Sequence, residues 1–336
     1  MQGDSAPRAG RKRFHPGWTV ALACLPVTIA NGAVFFSFSV FFKPVAADFN
    51  WSRGQVSLIY SALLLAYAPG AILSGRLADR HGPRMVLGVS AALIGAGLVL
   101  SSLAHSLGQM AASYSLVGLG VSATLGVPTA TVQRWFMVHR GLALGVVSGG
   151  VGGGAMLFSP LTHYFIVSYG WRSAFFLLGL LLGAMVALGA LTMRANPEKR
   201  GIVPYGGEPG RAGTANTMAG VGRFNASVGQ AVRTRAFAGL LVANTIAQLP
   251  GYFLLAHIVP YATDKGIAPG AAAGALGVMG AFNVLGRLGL GPWGERAGWT
   301  KAVALSSCAC ALAVLWLIVV RELWMLYLFV AAYGFF

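Results

Sequence analysis

Residues 85–133 contain no Asp, Glu, Lys or Arg, and residues 141–171 and 173–193 are equally free of them. Each of these runs exceeds the roughly 18 apolar residues that let a helix cross a bilayer. Soluble domains carry about 25% charged residues. Here the share is 10% over 336 residues, too little polar surface to face water. The sequence therefore specifies an all-α membrane protein with many spans.

The formal net charge of +16 would suit nucleic acid if it formed a patch, but it is dispersed. Lys and Arg gather in alternate loops: Arg11, Lys12 and Arg13, then Arg76, Arg80 and Arg84, then Arg134 and Arg140. Arg194, Lys199 and Arg200 follow, and later Arg296 and Lys301. The loops between them hold little beyond Lys43, Arg53, Arg172, Lys265 and Arg321. This bias puts the N-terminus and every second loop in the cytoplasm, as in a multi-pass protein of the cell's inner (plasma) membrane. The bilayer is thus an expected partner. Nucleic acid is not, and no obligate protein partner is evident.

The polar start, 1–17, reads as a cytoplasmic tail without a removable signal peptide. Cys24, Cys308 and Cys310 all lie in apolar runs, where packing is the expected role. No metal site or cofactor is expected.

Apolar runs between charged breaks give ten spans, at about 18–43, 53–74, 85–105, 107–132, 140–167, 171–193, 236–262, 268–290, 301–320 and 322–336. The organisation expected is a tail, a six-helix bundle (18–193), a cytoplasmic linker (194–235) and a partial second bundle (236–336). Six spans, a long linker and a second set describe a two-halved transporter. The chain stops inside its tenth span, so two further spans are expected to be missing.

An internal repeat supports two halves. "GRLADRHG" from Gly75 follows the second span, and "GPWGERAG" from Gly291 follows the eighth. Gly75 matches Gly291, Asp79 matches Glu295, Arg80 matches Arg296, and Gly82 matches Gly298. Sequence, position and sidedness agree, which chance turns do not explain.

The loop "GRLADRHGPR" resembles the signature loop of the major facilitator superfamily. "SFSVFFKPVAADFNWSRGQVSLIYS" from Ser37, "RWFMVHRGLALGVVSGG" from Arg134, "YGWRSAFFLLG" from Tyr169 and "HIVPYATDKG" from His257 resemble the monocarboxylate transporters and the oxalate–formate antiporter group. The linker start "NPEKRGIVPYGGEP" is similar to that of bacterial members. The resemblance implies a major facilitator fold that works by alternating access, with the signature loop bracing the outward-open state. In that loop Gly75 and Gly82 are expected to allow tight turns and close helix approach. Asp79 is placed to accept from an arginine or to cap a helix. Arg80 and Arg84 also fix sidedness, and topology alone would account for them.

Charges inside a bilayer are costly, about 2.5–3.5 kcal/mol on insertion scales, and are functional candidates by default. All eight acidic residues fall in tails, loops or span ends, and Arg287 is the one basic residue within an apolar run. The resemblance implies that Arg287 matches the eighth-helix arginine that holds a substrate carboxylate, with Asn283 one turn earlier on the same face. The alternative is an arginine that snorkels to the surface. For proton coupling, His257, between Pro250 and Pro260, is the leading candidate because imidazole titrates near neutrality. A histidine that meets only headgroups or water is the other reading, and His163 is a weaker candidate. Asn31, Tyr114 and Asn244 are placed to line the cavity or to satisfy neighbouring helices.

Two departures stand out against the resemblance. Phe36 occupies the place of a first-helix lysine in animal members, and Gly126 that of an aromatic in the fourth helix. They imply a roomier, less cationic site. The run "GGVGGG" from Gly149 lacks the strand and acidic residue of a dinucleotide turn and is expected to let helices pack closely. No nucleophile–base pair or metal cluster is seen, so an enzyme is not expected. The expected activity is secondary transport of a small organic monocarboxylate, with a proton as the coupled ion. Anion exchange of the oxalate–formate type and efflux of hydrophobic compounds are the alternatives.

Overall fold

The computed structural model describes residues 16–193, 203, 205, 206 and 234–336. The described chain is helical nearly throughout: α1 Pro16–Phe49, α2 Arg53–His81, α3 Pro83–Ser102, α4 Leu107–Val121, α5 Ala123–Trp135 and α6 Arg140–Thr192. Then come α7 Arg235–Asp264, α8 Pro269–Ala297, α9 Trp299–Trp316, a 3₁₀ turn Leu317–Val319 and α10 Leu323–Phe335. Hydrocarbon offers the backbone no partners, so each crossing must satisfy its own N–H and C=O groups as a helix.

Seven helical stretches among the described residues are long and apolar enough to cross a membrane. One, α6, has 53 residues and would be about 80 Å long, against a hydrocarbon layer of about 30 Å. It is two crossings. Gly170, at φ 80°, adopts a conformation that a side chain disfavours and turns the chain back. Conversely, α4 and α5 are one crossing, since Ser122 between them keeps helical angles of φ −59° and ψ −31°. The linker segment expected at 194–235 lies mostly outside the described residues. Of its described part, Tyr205 joins the loop after α5: its N–H donates to Trp135 O, and its carbonyl accepts from Met137 N, both at 2.9 Å.

Helix α1 is the centre of the bundle. Of its most apolar window 67% is buried, against 11% for the corresponding window of α9, so α1 is enclosed by protein while α9 lies at the edge of the described helices. The first arm of α6 packs on α1 and on α8. Its glycine run makes both contacts possible, because TM helices approach closely where side chains are smallest. A Cβ at Gly152 would lie 2.5 Å from the Gly280 carbonyl oxygen of α8, nearer than real Cβ atoms come. The run is a packing surface, as its sequence suggests.

Gly152→Val is accordingly expected to force α6 and α8 apart at a cost of about 1–3 kcal/mol or more, the range for overpacking. A lowered thermal unfolding midpoint in detergent, or loss of the monodisperse peak on size exclusion, is the check. An unchanged midpoint would contradict the close crossing.

Candidate functional site

Between the helices lies a cavity of about 610 Å³. Tyr67 and Ser74 of α2, Thr129 and Arg134 of α5, Ser148 of α6 and Arg287 of α8 line it. Its mouth is at the face that carries the α2–α3 loop, since Gly75, Asp79 and Pro83 belong to the same lining.

Arg287 comes from the apolar interior of α8 and is half-buried. Its Nε donates to Asn283 Oδ1 at 2.8 Å, the one-turn pairing that the spacing of four residues predicts. Asn283 Nδ2 in turn donates to the Gly334 carbonyl of α10 at 3.4 Å. The asparagine thus fixes one edge of the guanidinium and leaves the two terminal nitrogens uncommitted to it. Among the described residues no carboxylate forms an ion pair with Arg287. A cation in a low-dielectric interior without a counter-charge attracts an anion. Arg287 is also held inward at the backbone: its carbonyl oxygen would lie 2.8 Å from a Cβ at Gly145 of α6. The side chain lines the cavity rather than the lipid face.

Gly126 also lines the cavity, and nothing lies within 4 Å of where its Cβ would be. The space implied by the missing aromatic is therefore open. Phe36, in the other departing position, is buried at 6% exposure.

At the mouth, Arg134 NH2 donates to Asp79 Oδ1 at 3.3 Å. This ties the end of α2 to the end of α5, and Asp79 accepts from an arginine as expected. Both side chains are largely exposed, at 49% and 74%, so the pair contributes about 0.2–1 kcal/mol. Gly82, at φ 85°, closes α2 and opens α3. Gly298, at φ 94°, does the same between α8 and α9. The two copies of the repeat therefore share a backbone turn. Arg80 and Arg84 are exposed. The side chains of Glu295, Arg296 and Asn244 fall outside the described residues, as do the surroundings of Gly291.

One expectation for the loop needs correcting. Gly75 and Gly82 make no close helix approach, because a Cβ at either would meet nothing within 4 Å; Gly82 serves only the turn, and Gly75 lines the cavity. Asn31 and Tyr114 are not cavity residues either. Asn31 Nδ2 donates to Thr124 Oγ1 at 3.0 Å, bracing α1 against α5. Tyr114, 2% exposed, packs edge-on against Phe38 and Phe175, with centroids 5.4 and 5.9 Å away.

The opposite face is closed by α1 against α7. Pro260 has no N–H, so the Ala256 carbonyl one turn earlier loses its helical donor. Ser39 of α1 replaces it, its Oγ donating to Ala256 O at 3.2 Å and accepting from Val259 N at 3.1 Å. Two turns towards the rim, Asp264 at the end of α7 receives Lys43 Nζ on Oδ1 at 2.8 Å and Arg53 NH1 on Oδ2 at 2.7 Å. His257 sits in this contact, with ring centroids 5.4 Å from Phe42 and 4.7 Å from Phe253. It does not line the cavity that holds Arg287. Sequence reasoning left Lys43 and Arg53 as loop charges and Asp264 among the acids of tails, loops and span ends, and gave Ser39 no role. The available signal was Pro260, which announces an unpartnered carbonyl.

Residues 24–336 match the family model described as Major Facilitator Superfamily. The chain belongs to that superfamily. The oxalate:formate antiporter of Oxalobacter formigenes is 27% identical over 282 residues, covering 84% of this chain and 63% of that protein. Monocarboxylate transporter 13 of Bos taurus is 30% identical over 281 residues, covering 83% of this chain and 62% of that protein. The chain thus spans a little over three-fifths of the length of these relatives. Its fold is similar to that of a bacterial homologue of the human lysosomal transporter Spinster, solved inward-facing and unoccupied. The TM-score is 0.69 at 19% identity, covering 97% of this chain and 74% of that one. Members of the superfamily are multi-pass membrane transporters and not enzymes.

Asp264 supplies a pH test. The hydrogen bond from Lys43 holds its carboxyl below the usual carboxylate range, aided by Arg53 and opposed by slight burial. A depressed folded value means that the contribution is complete above the unfolded value and lost only as pH falls through the folded one. The contact is therefore expected to persist across pH 5–8. The check is the distance between spin labels on cysteines placed at the outer ends of α1 and α7, read at pH 8 and at pH 5. A distribution that shifts to longer distances at pH 5 would contradict the assignment.

Proposed function

We propose that this protein is a secondary active transporter that moves a small organic monocarboxylate by alternating access. The observation that carries this reading is Arg287, a cation without a carboxylate partner among the described residues, set in the wall of an open cavity and oriented by Asn283. Two parallel N–H···O bonds from a guanidinium to a carboxylate are worth roughly 1.5–3 kcal/mol each. The names of the relatives fit: one exchanges oxalate and formate, and others are monocarboxylate transporters. The signature loop with Gly75, Asp79, Arg80, Gly82 and Arg84, and its echo with Gly291, Glu295 and Arg296, would form the cytoplasmic gate. The N-terminus would then lie in the cytoplasm and the helical sets 18–193 and 236–336 would rock about the site. On this assignment the cavity opens inward and the α1–α7 contact is the closed outer gate.

His257 is proposed to carry the coupled proton at that outer gate. Its absence from the cavity lining favours a second reading, anion exchange without a proton, since Asp79, the acid that lines the cavity, is at the mouth and paired with Arg134.

Proteoliposomes holding the full-length protein and a panel of labelled carboxylates, with and without a pH gradient, separate these readings. Arg287→Ala is expected to lower uptake at least about 100-fold, the loss of two charge-assisted bonds, while the protein still inserts. Uptake by the variant at the wild-type rate would overturn the carboxylate site. His257→Gln is expected to abolish stimulation by the gradient; stimulation equal to wild type would remove the histidine from coupling and leave exchange.

A further inference from the structure

The outer gate contains more than a latch. Lys43 ends the apolar part of α1 and Arg53 begins α2, so both cations belong to one corner of the chain. That corner is rigid. Trp51 N donates to Ala46 O at 3.0 Å, and the Phe49 and Trp51 rings stack 4.1 Å apart. Ser52 and Gln55 form a reciprocal capping box at the start of α2. Asp264 arrives from α7, across the seam between the two helical sets. Its two oxygens are each taken by one cation, at 2.8 and 2.7 Å. The structure thus displays a carboxylate seated in a two-cation cradle, with seat and occupant on different bodies.

Two further observations show that the cradle is suited to an anion. Two positive charges share one negative charge, so the cluster keeps an excess cation even when closed, and both cations lose their partner once α7 withdraws, since Asp48 of the same corner pairs with Arg172. Arg53 also stands in the first turn of a helix, where the macrodipole disfavours a cation and favours an anion. The first turn of α2 holds no acidic residue. The helix end and the two cations therefore act on an incoming anion in the same sense.

We propose that Lys43 and Arg53 form an outer carboxylate-binding site, in which Asp264 is the internal stand-in when the gate is shut and the carboxylate of the cargo takes its place when the gate is open. The site collects the anion at the mouth before it passes to Arg287. This inference rests on the monocarboxylate reading above.

The test uses full-length protein in proteoliposomes, with labelled formate, oxalate, lactate and pyruvate as probes, and KM measured separately from the outer and inner faces. A gate that is only a latch makes Lys43→Gln, Arg53→Gln and Asp264→Asn act alike, because each breaks the same bridge and favours the outward state. A carboxylate seat makes them act oppositely. Lys43→Gln and Arg53→Gln are expected to raise the outer KM about tenfold or more, the loss of a charge-assisted contact. Asp264→Asn, which removes the internal competitor, is expected to lower it, and inner KM should change less than about twofold in the cation variants. If the cation variants do not reach the membrane, protection decides: in Asp264→Asn protein, external formate must slow modification of Lys43 by an impermeant amine reagent, whereas a plain latch leaves that rate unchanged. Changes of one sign in all variants, or an unaltered outer KM, would overturn the site while leaving carboxylate transport intact. Wild-type protein that carries none of the probes would overturn the underlying reading as well.

Discussion

A hydrocarbon layer supplies no hydrogen bonds and solvates no charge, and nearly every feature of this chain answers to that constraint. It makes the spans helical and confines the acidic residues to loops and span ends. It also lets helices meet through glycine, because apolar side chains gain little from each other when lipid is equally apolar. Helix α1 shows the result. It is enclosed by protein, its polar Asn31 and Ser39 are bonded to neighbouring helices, and its charge, Lys43, waits until the rim. Against this background a cation such as Arg287, inside a span and facing a cavity, is an exception that needs a ligand to make sense of it.

Much of the architecture was legible because the same constraint writes itself into sequence. The apolar runs located the crossings, and the paired loops at Gly75 and Gly291 foretold matching turns at Gly82 and Gly298. The run at Gly149 declared its packing role. The span read at 107–132 covers α4 and α5, and the break read between 140–167 and 171–193 falls at Gly170. The form of that break was less legible, because a turn on one positive φ depends on a single dihedral angle, which periodicity does not encode.

The site divided similarly. Arg287 and Asn283 were visible because a charge in an apolar run is conspicuous and a spacing of four places two side chains on one face. The outer cluster was invisible because Lys43, Arg53 and Asp264 each look like an ordinary charge at a helix end. Only the tertiary arrangement, which brings residues more than two hundred positions apart to 2.8 Å, joins them. Gly75 misled for a related reason. A glycine in a loop motif suggests contact, whereas here its missing side chain widens a passage.

The bond made by Ser39 has a further consequence. A carbonyl left open by Pro260 is capped by a hydroxyl that belongs to another helix. A water molecule offers the same donor and the same acceptor as that hydroxyl. When α1 and α7 part, the Ala256 carbonyl and the Val259 N–H can be rehydrated without disrupting a helical hydrogen-bond ladder, so parting need not unfold either helix. The seam therefore opens by exchange of one hydrogen-bonding partner for another, and the proline that weakens α7 as a rod makes it suitable as a door.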